Sequence, residues 1–413
     1  MSKYRICINC VKEEKLERYI KENGDVGQCF FCKEINKTVN FEADYDIKQL
    51  VKALIRYYYD GVYYSSRFGI QDAENLLLCH NAILDVNRNE SETDESKKDA
   101  LELLIGNYYE DYDKGVSIVS GERFHMGPPV RILDNEFLSA LEERLEKENF
   151  YYCEDRLVSK LEKIIDKVTV ECGTKKYYRA RIGYEKKCIL HVDGIDAFNY
   201  EEYEKNIKKY EYYVPYTNLH IGAPLPRESE EGRINRKGVS FLYLSSDAKT
   251  AVSEIRGSRG HIITVGQFLN KKNLRIADFR DIDYYKFYES DKEIDDYIFL
   301  KQISDFFSIP NPNKNYKVTQ CISEAILRLG LDGIMYKSSL SDSNGYNLVI
   351  FNKCNFGYIE GSSKVFELEK IKYEYVERNL NIKPEEWYIV RTEKSTMLDE
   401  GNAILEKYNS SKY

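Results

Sequence analysis

One carboxylate in this chain stands where it could do chemistry. Glu254 closes the stretch Gly232–Glu254, GRINRKGVSFLYLSSDAKTAVSE, which reads as turn, strand and helix in succession. Glycines at 232 and 238 bracket the turn and permit tight or left-handed backbone. Val239–Leu244 is apolar on both faces, the pattern of a buried central strand. Ser246 or Asp247 caps a short helix, where Ala248, Ala251, Val252 and Ile255 recur at the spacing of one buried face. Glu254 projects from the flank of that face, so a rigid element holds a carboxylate beside a basic turn that reads as mobile. Such a group can stabilise a developing cation, or orient a hydroxyl. Arg233, in the turn, can fork onto a phosphate. Tyr243, at the strand's end, can stack on a flat ring and aim its hydroxyl at a ribose or phosphate oxygen. Residue type alone favours plainer roles: a solvated loop arginine, a core tyrosine among 36, an acid paired with a surface base.

A second constellation is made of thiols. Cys7-Ile-Asn-Cys10 and Cys29-Phe-Phe-Cys32 flank a segment of 18 residues, inside the spacing of a four-thiolate zinc site. Each pair makes a tight knuckle that offers two thiolates to one tetrahedral ion, and four thiolates leave no open position, so the expected zinc is structural. Paired redox cysteines would need the strand and helix setting of a thioredoxin-like motif, which is missing here. Cys79-His80 and Cys188 with His191 have no further ligands at a sensible spacing and read as ordinary core residues.

The elements that must position these groups fall into two kinds. Between the cysteine pairs, Leu16 and Ile20 suggest one short helix ended by Gly24. From Phe41 to about Val168 the signal is helical: Ile47, Leu50, Val51, Leu54, Ile55 and Tyr58 form one stripe, and Leu76, Leu77, Ile83 and Leu84 suggest a second helix. Asn87–Asp99 has no aliphatic residue and reads as a loop; helical patterns resume at Ala100–Ile105, Glu136–Leu145 and Leu157–Val168. From about Thr174 short strands take over: Tyr177–Ile182, Val239–Leu244, His261–Val265, Leu274–Ala277, Gly333–Tyr336 and Asn347–Phe351. Helices intervene at Ala248–Arg256, Ile294–Phe307 and Cys321–Leu329, the last stopped by Gly330. Strands and helices mixed without strict alternation indicate α+β, and no Gly-x-Gly-x-x-Gly follows a strand to support a Rossmann site. Residues after about Ser363 are charged and helix-prone.

At 413 residues the chain is long enough for two or three domains, and 42% hydrophobic with 31% charged residues fits a globular protein. A net charge of −8 argues against a generic coating of nucleic acid. No apolar run reaches the roughly 18 residues of a membrane span, and no signal peptide precedes the first cysteine, so a reducing cytoplasm is expected.

The pattern Gly-Arg-x-Asn-x-x-Gly, Leu-Tyr-Leu and Thr-Ala-x-x-Glu in Gly232–Glu254 resembles the RES family, named for an Arg, a Glu and a Ser. Tyr316–Gln320, Asp332–Ser339 and Gly345–Phe351 resemble its later blocks, in family order over about half the chain. Here Ile234 and Arg236 stand where the family often has Trp and Pro, and Lys337 replaces a Pro. The resemblance implies an ADP-ribosyltransferase-like RES domain and cleavage of the nicotinamide–ribose bond of NAD, with ADP-ribose passed to phosphate or water. It gives Glu254 the chemistry, Arg233 the diphosphate, Tyr243 the nicotinamide side, and Ser338 (or Ser339, one register on) a ribose hydroxyl. Arg179 and Arg181 alternate on one face of the first strand, where a second phosphate contact fits, with Arg179 preferred; Asn347 offers a further ligand hydrogen bond, a structural amide being its commoner role. Such enzymes act as toxins, paired with an antitoxin or held for a signal such as phage infection.

The head resembles the N-terminal domain of some RES proteins, related to HEPN modules. The Arg-x₄₋₆-His motif of HEPN ribonucleases is absent from the helical region, and its spacing at Arg256 and His261 reads as a loop coincidence. The expected domains are a zinc-binding unit (1–40), a helical domain (41–172), a RES domain (173–362) and a C-terminal extension (363–413). Two other classes stay open: a protein ADP-ribosyltransferase, and a non-catalytic zinc-and-helix binding protein with a degenerate RES domain.

Overall fold

Paired cysteines and a short amphipathic helix organise the start of the chain. The structure, a computed structural model, describes residues 3–59, 76–78, 83–86, 94–118, 128–189, 211–310, 316–341 and 344–372. Cys79, His80 and His191, and the extension past residue 372, lie outside them. Strand β1 (Arg5–Cys7) is followed by α1 (Glu14–Asn23), whose first amides are capped by the Glu13 carboxylate and whose Leu16, Tyr19 and Ile20 are buried. Gly24 ends it, as expected. Strands β2 (Asp25–Gln28) and β3 (Ile35–Asn40) then complete an antiparallel sheet of order β1-β3-β2, which the sequence does not announce because INKTVN is mostly polar. Helix α2 (Tyr45–Tyr58), capped by Asp44, buries its Ile47, Leu50, Val51, Leu54 and Ile55 stripe against Ile6, Leu16 and Phe41.

Four expectations in the helical region are corrected. Leu76–Leu84 is not one helix, since Leu84 forms an antiparallel bridge with Val11. The polar run expected as a loop is helical from Asp94, in α3 (Asp94–Ile105). There Glu95, Lys98, Asp99 and Glu102 stay toward water while Ala100, Leu101, Leu104 and Ile105 enter the core, so packing of one end carries the polar end into the helix. The run Glu136–Leu145 is divided into α4 (Glu136–Ser139) and α5 (Leu141–Lys147), and Leu157–Val168 into the end of α6 (Phe150–Leu161) and a 3-10 turn.

The second half is built on a sheet. Its elements are β4 (Thr169–Cys172), β5 (Lys176–Ile182), β6 (Lys186–Ile189), β7 (Glu211–Val214), α7 (Asn218–Ile221), β8 (Leu242–Ser245), α8 (Ala248–Glu254) and β9 (Ile262–Asn270). After them come β10 (Leu274–Asp278), α9 (Asp291–Ser308), α10 (Lys317–Arg328), β11 (Gly333–Lys337), β12 (Tyr346–Ile350), β13 (Phe356–Tyr358) and β14 (Lys364–Glu367). The sheet runs β13-β9-β5-β8-β12-β11-β10-β4, with β14 also on β9; β10 and β11 are parallel and the other pairs antiparallel. Strands β6 and β7 pair apart from it.

The period of two divides the sheet's side chains between two cores. Leu242, Leu244, Leu348, Ile350 and Met335 pack with Tyr177 and Phe268 on one side. Phe241, Val349, Ile334 and Tyr336 pack on the other with Ile298, Phe299 and Phe307 of α9 and Ile322 and Ile326 of α10. Burial on both faces is why Val239–Leu244 reads as apolar throughout, although the ladder itself begins only at Leu242. Lys364–Glu367, expected as helix-prone, is a strand because β9 supplies a free edge at Ile262–Val265. The architecture is α+β, a cysteine unit and helices followed by a mixed sheet, and Met1–Glu369 is one compact unit. Ala53 of α2 lies in the same core as α9, Tyr284 donates to the Ala53 carbonyl at 3.0 Å, and Arg56 pairs with Asp291 at the start of α9.

Candidate functional site

Glu254 is the last residue of α8, a helix started by Asp247, whose carboxylate accepts from Thr250 N at 2.8 Å. Ala251 on its inner face packs with Ala180, Ile263 and Val265 of β5 and β9, which fixes the helix against the sheet. At the helix end, Glu254 Oε1 accepts two hydrogen bonds, from Ser338 Oγ at 2.6 Å and Asn347 Nδ2 at 2.7 Å. The Ser338 hydroxyl in turn accepts from Leu340 N, and the Asn347 carbonyl oxygen accepts from Ser245 Oγ at 3.0 Å, so both donors are themselves oriented. Ser338 is buried and meets Glu254, whereas Ser339 is exposed.

The turn before β8 is held firmly, contrary to its reading as mobile. Asn235 Nδ2 donates to the carbonyls of Glu230, Arg236 and Val239, and Gln320 Nε2 of α10 donates to those of Gly232 and Asn235. Thr319 and Ser323 bond the carbonyls of Arg233 and Ile234, and Ile234 itself is fully buried. Gly238 takes a φ of +82°, which its position requires. The Tyr316–Gln320 block thus bonds the Gly232–Gly238 block by side chain to backbone.

Arg233 Nη1 donates to the carbonyls of Phe307 and Ser308, the open C-terminal carbonyls of α9. Tyr243 donates its hydroxyl to Asn235 Oδ1 at 2.6 Å and accepts from Ile234 N, so that hydroxyl is engaged by the turn, and burial raises its pKa. Strands β5 and β8 pair only at Tyr178 and Ser245. Beyond that point Arg179 spans the gap, Nη1 donating to the Tyr243 carbonyl at 2.8 Å and Nε to the Ile221 carbonyl at 2.9 Å. Desolvation, with Arg181 beside it, lowers its pKa to about 10. Arg181 is exposed, bonds the His220 carbonyl and covers the Tyr216 ring.

Several of these groups, though not Ser338 or Arg181, border one cavity of about 380 Å³, a size usual for small-molecule sites. Arg179, Arg233, Tyr243, Glu254 and Asn347 all line it. So do residues that sequence reasoning passed over: Tyr178, Ser245, Tyr316, Tyr336 and Arg256. Arg256 adopts a left-handed φ of +48°, uncommon for a residue with a side chain. Asn235 was visible in the turn pattern and Tyr336 in the Asp332–Ser339 block; Ser245 carried no local signal, because cross-strand register brings it to the site.

The four N-terminal thiols also converge. Cys7 Sγ lies 3.5 Å from Cys32 Sγ and Cys10 Sγ 3.8 Å from Cys29 Sγ, and all four sulfurs are within 4.8 Å of one another. Tetrahedral zinc with bonds of about 2.3 Å needs sulfurs about 3.8 Å apart, so the group fits such an ion. The sheet makes this possible: β1 ends at Cys7, and the link between β2 and β3 carries Cys29 and Cys32. Cys188, by contrast, lies on β6 apart from this group.

An α+β protein with a tethered carboxylate and three guanidinium groups around one cavity has the form of a site for a small anionic ligand. Residues 208–366 match the RES domain family, in agreement with the resemblance read from its blocks. Among solved structures, a chain from the crystal structure of the M. tuberculosis MbcT–MbcA toxin–antitoxin complex is similar at 11% identity and a TM-score of 0.29, over 52% of this chain and 92% of that one. A likeness that slight decides nothing about this molecule. No curated protein matches the chain. No helix among the described residues is long and apolar enough to cross a membrane.

Proposed function

We propose that this protein cleaves the nicotinamide–ribose bond of NAD and passes ADP-ribose to phosphate or water, as a cytoplasmic RES-type toxin. The observation that carries this reading is the Glu254 carboxylate, fixed through Oε1 by Ser338 and Asn347 at the wall of a cavity lined by Arg179, Arg233 and Arg256. As the bond from ribose C1′ to the ring nitrogen breaks, its electron pair leaves with nicotinamide and positive charge develops on the ribose. A preorganised carboxylate stabilises that charge without reorganising. An oxygen of phosphate or water then bonds to C1′, and in the case of water a proton is released.

Arg233 spends Nη1 on α9 carbonyls, which leaves Nε and Nη2 for a diphosphate oxygen. Arg179 acts from the split between β5 and β8, and the Tyr243 ring flanks the nicotinamide. Cys7, Cys10, Cys29 and Cys32 would hold one structural zinc ion, which folds the head. An antitoxin or other regulatory partner that covers the cavity belongs to the same reading. Purified protein mixed with NAD and assayed for free nicotinamide, with and without phosphate, tests it. Stimulation by phosphate indicates a phosphorylase, and activity without it a glycohydrolase. No nicotinamide under either condition refutes the proposal.

A further inference from the structure

One polar atom at the cavity is left unused by the fold. Tyr336 is only 4% exposed, with its ring 6.0 Å from that of Phe307 and the Arg233 guanidinium 5.9 Å from its centroid. Other enclosed tyrosines near the cores bond their hydroxyls, Tyr19 to Asp44 and Tyr284 to the Ala53 carbonyl, as does the half-buried Tyr243 to Asn235. Among the described residues the Tyr336 hydroxyl has no hydrogen-bond partner, although the residue lines the cavity. Unlike Gln49 Nε2 and Ser308 Oγ, which are enclosed without a partner, this unbonded hydroxyl is left open toward the cavity.

Its position suggests a use. Strand register sets Tyr178, Ser245, Asn347 and Tyr336 in one row across β5, β8, β12 and β11, and all four line the cavity. In that row Ser245 is spent on Asn347 and Asn347 on Glu254. Tyr336 therefore stands beside the Asn347–Glu254 pair on one side and under Arg233 on the other. Burial raises its pKa, which keeps the hydroxyl protonated and able to donate.

We infer that the Tyr336 hydroxyl is a substrate contact, donating a hydrogen bond to an oxygen of the ribose that joins the diphosphate at Arg233 to the scissile bond at Glu254. The inference rests on the NAD-cleaving reading of the same cavity and adds a residue to it. Tyr336→Phe removes the hydroxyl and keeps the ring. Three readouts on the full chain test it: nicotinamide release from NAD, calorimetric binding of ADP-ribose and of ADP (which lacks that ribose), and ligand-free thermal melting. The variant should melt no lower than wild type, because no protein partner is lost. It should bind ADP-ribose about tenfold more weakly and lose about tenfold in kcat/KM, the scale of one hydrogen bond, with ADP affinity unchanged. Unchanged release and ADP-ribose affinity would overturn the inference, as would equal losses for ADP and ADP-ribose, which move the contact to the diphosphate. Wild type that releases no nicotinamide refutes instead the reading beneath it.

Discussion

Replacing Glu254 by glutamine removes a charge while the geometry around it dictates how the amide must sit. Two donors, Ser338 Oγ at 2.6 Å and Asn347 Nδ2 at 2.7 Å, converge on Oε1. In Glu254→Gln the carbonyl oxygen must take that place, since a flipped amide would set an NH₂ against both donors and lose two hydrogen bonds, about 1 kcal/mol each. The NH₂ then occupies the Oε2 position, where the proposal requires negative charge. Both bonds survive in weaker, neutral form, so thermal stability should change little. Loss of one preorganised group facing the developing cation should lower kcat about 10²–10³-fold, or about 2.7–4 kcal/mol of barrier. Nicotinamide release by folded wild type and variant at saturating NAD is the measurement. Equal rates would remove Glu254 from the mechanism and with it the assignment of the site.

Arg233→Ala should act mainly on KM, because a phosphate contact equally strong in ground and transition states leaves kcat in place, and Arg233→Lys should rescue only in part, since an ammonium cannot fork. Steady-state kinetics of both variants decide this. Metal analysis of the reduced, zinc-replete protein should find one zinc ion per chain, and chelation should lower the melting temperature; no zinc, or no shift, would refute the metal site. A Cβ at Gly333 would collide with the Val349 carbonyl oxygen in the β11–β12 ladder, so Gly333→Ala should cost about 1–3 kcal/mol in chemical denaturation. Asp291→Ala strips Arg56 of its partner and Ser117 N of its acceptor. It should destabilise the chain by about 2 kcal/mol, less than for a fully buried pair because Arg56 is partly solvated; a change within about 0.5 kcal/mol would show that the link contributes little.

What the sequence alone determined is local. The Asp247 cap and the Ala248–Ile255 spacing are written within ten residues, and they give a helix ending near Glu254. The C-x₂-C pairs define two knuckles by themselves, and Gly330, at a φ of +79°, marks the end of α10. The two-faced apolar runs at Val239–Leu244 and Asn347–Phe351 required a buried sheet, because nothing else covers both sides of a strand. Ordered blocks carried the RES resemblance, although their residues meet across blocks, as Gln320 does at the Gly232 carbonyl and Ser338 at Glu254.

Tertiary structure decided everything that depends on register or on a distant partner. Tyr178, Ser245, Asn347 and Tyr336 form one row only because four strands align at that level, and a slip of one residue would turn each side chain to the opposite face. The choice of Ser338 over Ser339 at Glu254 has the same cause. Arg179 looked like a free guanidinium on a strand, yet the parting of β5 from β8 leaves it the carbonyls of Tyr243 and Ile221 to bond. The supposedly mobile turn is rigid because Thr319, Gln320 and Ser323, some 85 residues away, face its carbonyls from α10. Polar segments such as Ile35–Asn40 and Lys364–Glu367 became strands because neighbouring edges offered their unpaired backbone groups, a driving force that no pattern within those few residues records.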